Sequence, residues 1–379
     1  MDLLRETHKA VGVMKRRVLI IGGLFLATLI LLPAASPISA QGDGHECRGF
    51  EATIVGTEGP DRIVGTLGAD VIVGLGGDDV VFGRGGHDII CGGEGNDDIR
   101  GGDGPDSLFG DAGNDTVRAG SGVDDLFGDP GDDRLYGGPD ADTIYFPNAT
   151  AGVSVNLAEG WSSGQGNDIV KGVEDITGTP FSDSLVGNSA ANYIEDLGGE
   201  NQFISGLGGD DYLTLHGSGQ VRGGAGEDSL FSYDGDDTLR GGPGDDILNA
   251  GFGDDLIDGG RGRDVAGFAD PPYGSGIMLI VDLAAGSATG NGRDALRNIE
   301  DEGGTFSSDI IYGDSGPNRL FGSLGQDQMY GRGGDDILEG GWDPDQLDGG
   351  PGHDYCNGGS HHFGEEDTAV HCEIVVDVP

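Results

Sequence analysis

The sequence predicts an all-β solenoid, a stack of short coils with little interior per residue. Three observations predict it. Glycine supplies 79 of 379 residues, about three times the usual share. Acidic residues outnumber basic ones 67 to 20, giving a formal net charge of −47. A nine-residue period also keeps its phase through most of the chain, the mark of a repeat architecture. Aromatic residues, at 7%, are too few for a large packed core, while hydrophobic residues, at 35%, are too many for a disordered acidic polymer. Glycine does not recur at every third residue, which excludes collagen. The charge repels nucleic acids and anionic membranes and leaves a surface with a strong demand for cations.

Residues 1–40 are a different material. Lys15, Arg16 and Arg17 precede an apolar run from Val18 to Leu32, then Pro33 and small residues ending in Ser39 and Ala40. A basic segment, a short apolar core and a small-residue end read as a secretory signal cleaved after Ala40. The apolar run of 15 residues is short for a membrane span. Met14, just before the basic cluster, is an alternative start to Met1. The expected location is therefore extracellular, free or at a cell surface. Beyond residue 40 the chain has 65 acids, 15 bases and a single lysine, Lys171. All four cysteines lie there, and an even count in an exported chain predicts two disulfides. Residues 41–55 are expected to cap the stack.

From Gly56 the chain reads in nonads without a gap: ten over 56–145, ten over 178–267 and six over 304–357. The sixth position is Asp in 22 of these 26 units. In the first block it is Asp61, Asp70, Asp79, Asp88, Asp97, Asp106, Asp115, Asp124, Asp133 and Asp142. In the second it is Asp183, Asp210, Asp228, Asp237, Asp246, Asp255 and Asp264, and in the third Asp309, Asp327, Asp336, Asp345 and Asp354. Asn192, Asn201, Gly219 and Asn318 are the exceptions. The eighth position is apolar or tyrosine in 24 units, the others being Ala266 and Cys356.

Six residues rich in Gly and Asp make a tight turn that needs left-handed backbone, which Gly adopts at little cost. The last three are β-prone and alternate, so the eighth side chain points inward. Stacking superposes the sixth-position carboxylates one strand spacing apart, about 4.8 Å. Such rows repel unless a hard divalent cation sits among them, held by carboxylates and turn carbonyls. Turns poor in nitrogen and sulfur donors match zinc and copper badly. Calcium suits flexible, carbonyl-rich coordination better than magnesium.

The pattern G-G-x-G-x-D-x-U-x resembles the RTX, or haemolysin-type, calcium-binding repeat. That resemblance implies a right-handed parallel β-roll with two nonads per coil and calcium held between turns of neighbouring coils. The 22 aspartates named above are then the expected metal ligands. If each site needs turns on the same side of successive coils, the three blocks offer at most about 20 calcium positions. Asn keeps an oxygen ligand without the charge and Gly keeps neither. Calcium binding is thus expected to be weakest over 187–222.

Two inserts, 146–177 and 268–303, break the period. They resemble each other at an offset of 126 residues: Leu157-Ala158, Asp168 and Glu174-Asp175 recur as Leu283-Ala284, Asp294 and Glu300-Asp301. The offset is 14 nonads, so each insert is expected to add irregular coils without ending the stack. VSVNLAEG and MLIVDLAAG read as strands running into turns.

Cys47 and Cys91 bracket the first four nonads, and Cys356 and Cys372 bracket the last turn. Solenoid ends need capping, so Cys47–Cys91 and Cys356–Cys372 are the expected disulfides. Residues 358–379 form the C-terminal cap. A transition-metal reading of His353, Cys356, His361, His362, His371 and Cys372 fits no standard zinc spacing.

Gly313-Asp314-Ser315-Gly316-Pro317 resembles a serine-protease nucleophile motif, yet it lies in phase within a nonad and lacks a His/Asp context. No P-loop lysine and no H-E-x-x-H occur, and nothing positive points to an enzyme. The sequence therefore predicts a secreted calcium-binding module, structural or interactive, with a cell-surface or matrix partner. The alternative is an exported hydrolase or cytolysin-related protein with its active surface on the inserts.

Overall fold

A computed structural model describes residues 45–268, 278–290, 292–360 and 367–376. The signal reading over 1–40 and the histidines His361 and His362 lie outside these. Among the described residues the regular structure is all strand, and no helix is long and apolar enough to cross a membrane.

Alternate nonads contribute to two parallel ladders. One runs from Arg62–Val64 through Val80–Gly85, Asp98–Asp103 and Thr116–Ser121 to Arg134–Tyr136. The other runs from Ile54–Val55 through Val71–Val73, Ile89–Glu94, Ser107–Ala112 and Asp125–Phe127 to Thr143–Tyr145. Both continue to the far end, closing on Thr368–Val370 and Ile374–Val376, respectively. The stack has about 17 turns. Its interior is a file of single inward residues, one per strand: Ile72, Val81, Ile90, Ile99, Leu108 and Val117 are each 0% exposed. So narrow an interior follows from the period, since each nonad sends its middle strand residue inward and the flanking two outward.

The nonad grid slips in one place. Leu185 pairs with Ile204 and Ile194 with Leu213, nineteen residues on, and the next steps to Val221 and Leu230 are seventeen. One residue is gained before Gln202 and one is lost after Leu213, so Ile204 and Leu213 face inward in place of Phe203 and Tyr212. The displaced rings pack outside: Tyr212 stacks on Tyr193 at 5.2 Å, and Arg222 lies 5.2 Å over Phe203. Alternation of period two permits either parity, and the slip puts the slimmer aliphatic side chains inside.

Each insert is a three-stranded meander built into the first ladder. Asn167–Lys171 continues it in parallel from Arg134–Tyr136, Trp161–Ser163 runs antiparallel beside it, and Ser154–Asn156 passes the ladder on to Ser184–Val186. Arg293–Arg297, Ser287–Thr289 and Ile280–Asp282 repeat the arrangement. The second ladder takes only one strand at each place, Asp175–Thr177 or Asp301–Gly303.

The inserts differ in one core residue. Ile176 fills the interior of the first. Its counterpart Glu302 is also 0% exposed, paired between Ala266 and Leu320, with neither carboxyl oxygen hydrogen-bonded. Burial, followed by the nearby Asp309 and Asp327, pushes this carboxyl well above its ordinary range.

Both disulfides are present, Cys47–Cys91 and Cys356–Cys372. The first fastens the hairpin of Glu46–Cys47 and Phe50–Glu51 to the outer face of the second ladder, beside Val73 and Phe109. Arg48 adds ion pairs to Asp111 and Asp129 at 2.9 and 2.8 Å. The second bond starts from an inward position, Cys356, so it ties the end of the core to the last turn.

Candidate metal centre

The sixth-position aspartates form two columns on opposite sides of the stack. In each, carboxylate Oδ1 accepts the backbone N–H of the sixth residue one coil earlier. Asp79 accepts from Asp61 at 2.7 Å, Asp97 from Asp79 at 2.8 Å and Asp115 from Asp97 at 2.7 Å. On the other side Asp88 accepts from Asp70, Asp106 from Asp88 and Asp124 from Asp106, at 2.8–2.9 Å. One oxygen of each side chain therefore serves the fold.

The second oxygen separates two kinds of turn. From Leu75 to Gly138, every second-position residue of the first block has a positive φ, Gly102 at +128° and even Arg84 at +86° and Asp111 at +65°. In these turns Oδ2 of Asp79, Asp88, Asp97, Asp106, Asp115, Asp124, Asp133 and Asp142 is buried and meets no protein donor. The same holds for Asp228, Asp246, Asp264, Asp327, Asp336, Asp345 and Asp354; Asp255 also leaves Oδ2 buried and unpartnered, although the second residue of its turn, Gly251, does not have positive φ. Where Thr stands second, φ is not positive, because a β-branched side chain is strained there. The turn then aims its N–H at the carboxylate: Thr57, Thr66, Thr179 and Thr305 each donate at 2.6 Å to Oδ2 of Asp61, Asp70, Asp183 and Asp309. The Thr57 hydroxyl adds a second bond to Asp61 at 2.8 Å.

A cation fits the first kind. Oxygens converge over the first-position glycine, where a side chain would collide. The point a Cβ would occupy on Gly110 lies 2.6 Å from Asp115 Oδ2 and 2.8 Å from the Gly128 carbonyl oxygen of the next coil. Among the described residues no three His, Cys, Asp or Glu side chains gather at one point, so each donor set is one or two carboxylates with main-chain carbonyls, as hard cations prefer. Burial raises these carboxyls strongly, Asp106 to about 7, Asp115 and Asp142 to about 8 and Asp327 to about 9, with backbone N–H bonds opposing. Without a metal these buried carboxyls therefore keep a proton to higher pH than exposed ones do.

Several ligand assignments change. Asp210 is exposed and accepts the Glu227 N–H at 2.9 Å, a fifth-position role; the grid slip makes Asp211 the column residue, accepting from Asn192 at 2.8 Å with a buried, unpartnered Oδ2. Asn201 likewise yields its place to Gln202, whose Oε1 accepts the Asp183 N–H at 2.5 Å. Asp168 and Asp294 carry the first column into the inserts, accepting from Asp133 and Asp255 at 3.0 Å. The phrases Gly166-Asn167-Asp168 and Gly292-Arg293-Asp294 hold the turn signal that reveals them. Glu174, Glu300 and Glu373 extend the second column with a longer carboxylate. Asn192 and Asn318 are junction residues. Each amide donates at 2.7 Å to a carbonyl of the preceding insert, Glu174 or Glu300, while its Oδ1 accepts a turn N–H at 2.8 Å. A carboxylate cannot donate, so Asp would fail there.

The Cys356 and Cys372 sulfurs are bonded to each other, which removes them as metal ligands. In Gly313–Pro317, the Asp314 carboxylate accepts the Gly316 N–H at 2.6 Å and Asp314 N–H caps Asn318, so the motif is a repeat turn.

Stacked parallel strands with rows of turn carboxylates define a cation-binding β-roll. The model of the RTX calcium-binding nonapeptide repeat matches residues 55–90, 92–126, 118–146, 177–213, 217–248, 231–266, 303–338 and 330–360, more than half of the chain. The chain belongs to this family and is a calcium-binding β-roll protein. The matches leave out the cores of the two inserts. No curated protein matches the sequence.

Proposed function

We propose that this protein is exported and that calcium completes its fold outside the cell, where the roll serves as a structural or interaction module. The observation that carries the reading is the two columns of buried Oδ2 atoms without a protein donor. An unpaired buried carboxylate is costly, and the chain repeats that cost along most of its length. A cation shared with turn carbonyls removes it, and at the calcium level outside a cell even sites of about 10⁻⁴ M affinity are mostly filled. Residues 15–40, with their basic, apolar and small-residue segments, support export.

The test is circular dichroism of the chain from Gln41 onward. In chelator at pH 7.5 the spectrum is expected to be largely coil, turning β-rich at millimolar calcium, with magnesium a poor substitute. A β-rich spectrum in chelator would overturn the folding role. Finding the whole pool inside intact native cells, with residues 1–40 retained, would overturn export.

A further inference from the structure

The outer face of the first ladder runs against the charge of the molecule. Over its strands from Arg62–Val64 to Asn167–Lys171, the two positions flanking each inward residue carry Arg62, Arg100, Arg118, Arg134 and Lys171, all exposed, against one acid, Asp98; farther along the same strands, exposed Arg84 and Asp103 add one charge of each sign. The same flanking positions of the second ladder from Ile54–Val55 to Asp175–Thr177 carry no Lys or Arg, and two acids, Asp125 and Asp175, with Glu94 and Asp111 farther along its strands. A third of the 15 bases beyond residue 40 thus lie on one face of a handful of coils, in a chain with a net charge of −47.

Three of the cations are also held in place. Arg62 and Arg100 lie 4.3 and 5.0 Å from the ring centre of Phe82, and since Arg100 comes from the next rung they brace one ring between them. Asp98 pairs with Arg100 at 2.7 Å and with Arg118, which lies 5.6 Å over Tyr136. Tyr136 is in register with Lys171. Ring and carboxylate contacts fix guanidinium groups that would otherwise be free to rotate, which lowers the entropy lost when an anion docks. Neighbouring rungs repeat at about 4.8 Å, so the cations lie in two adjacent files parallel to the stack, Arg100, Arg118 and Lys171 in one and Arg62 and Arg134 in the other.

We propose that this face binds a linear acidic polysaccharide, one carrying carboxylates on successive sugars, laid along the ladder. Guanidinium forks match carboxylates in two-point geometry, and the length of a sugar unit is close to the rung spacing. Single-stranded nucleic acid fits less well, because its binders offer open ring faces for base stacking, whereas guanidiniums cover Phe82. The field of the acidic turns is screened beyond about 8 Å at physiological salt, so they need not repel an anionic chain laid along the ladder. The inference names a partner for the interaction role proposed above, while its residues are separate from the turn carboxylates.

The test uses the full chain in saturating calcium and polygalacturonate oligosaccharides as probe, read by titration calorimetry. R100E/R118E is expected to lose affinity about tenfold or more, and the milder R134Q/K171Q severalfold. R222E/R240E, on the same ladder beyond the first insert, should bind as the parent does. Calcium titrations followed by circular dichroism in the same samples should be unchanged, so a failed calcium reading and a failed sugar reading give different results. Undiminished affinity in both of the first two variants overturns the proposal. So does tighter binding of single-stranded DNA through the same residues, or self-association abolished by R100E/R118E without sugar binding.

Discussion

The coil of residues 56–73 and those of residues 74–145 have the same period, the same inward residues and the same Asp columns, yet they solve the carboxylate problem differently. In the first, Thr57 and Thr66 turn their N–H groups onto Asp61 and Asp70. In the others, left-handed second residues leave Oδ2 buried and unpartnered. Within this block one side chain outside the Asp row thus separates turns that bond their own carboxylate from turns that leave it unpartnered. Threonine turns recur at Thr179 and Thr305, at the head of the second and third blocks. Each run of coils with unpartnered carboxylates therefore follows one whose threonine turns bond their own carboxylates.

The largest expected effect concerns pH without calcium. In the folded chain Asp106 titrates at about 7, Asp115 at about 8 and Asp327 at about 9, raised by burial from an ordinary value of 3.8. The folded state thus binds more protons than the unfolded one between pH 4 and these values, and its stability falls as pH rises. In chelator, β content should be greatest near pH 4 and be lost between about pH 6 and 9, as followed by circular dichroism. A calcium-free chain that gains structure on going from pH 5 to pH 8 would refute the assignment of protons to these turns.

Glu302 sharpens the comparison between the two inserts. Glu302→Ile restores the residue type found at Ile176 and should raise stability in saturating calcium by about 1–3 kcal/mol, measured by denaturant unfolding. Glu302→Gln, still polar and unpaired, should gain less.

Turn type can be exchanged directly. Thr66→Gly removes the hydroxyl and the bias against left-handed backbone, and should add calcium at Asp70, counted by native mass spectrometry. Gly102→Thr should lose calcium near Asp106 and destabilise the loaded chain by about 1–3 kcal/mol through backbone strain. Unchanged counts in both would break the link between the second residue and the ion.

The smallest effect is at Asn192. Asn192→Asp supplies the missing row carboxylate but forfeits the donor to the Glu174 carbonyl. Calcium affinity over 187–222 should not rise, and stability should drop by about 1 kcal/mol or more, read by calorimetry. Higher affinity would restore the simpler view that each Asn is a weakened site.

Much of this was legible because a nine-residue period states the fold and its inward file at once. The column residues could be read by position wherever turn length is constant. The slip at Gln202 and Asp211 could not, since alternating strands tolerate either parity and only packing of Phe203 and Tyr212 outside settles it. Asn192 and Asn318 read as lost ligands because the insert carbonyls they serve lie a coil away in space. The second-position rule was present as Gly-Thr against Gly-Gly, but its meaning depends on the sign of φ. Glu302 carried no signal, as strict alternation gives no warning of a carboxyl on the inward side.

The column hydrogen bonds join residues eighteen apart, two nonads for one coil. A single added nonad would move every later strand to the opposite ladder and bring the wrong ends of later turns together. Gene segments can therefore be copied into this chain without reshuffling its two sides only in whole coils. Between the inserts the second ladder takes six steps, Ile176 through Ile194, Leu213, Leu230, Leu248 and Ala266 to Glu302, and only the last, across the second insert, departs from about eighteen residues; both meanders lie in the same ladder. Growth of the sequence by duplication is thus quantised in whole coils.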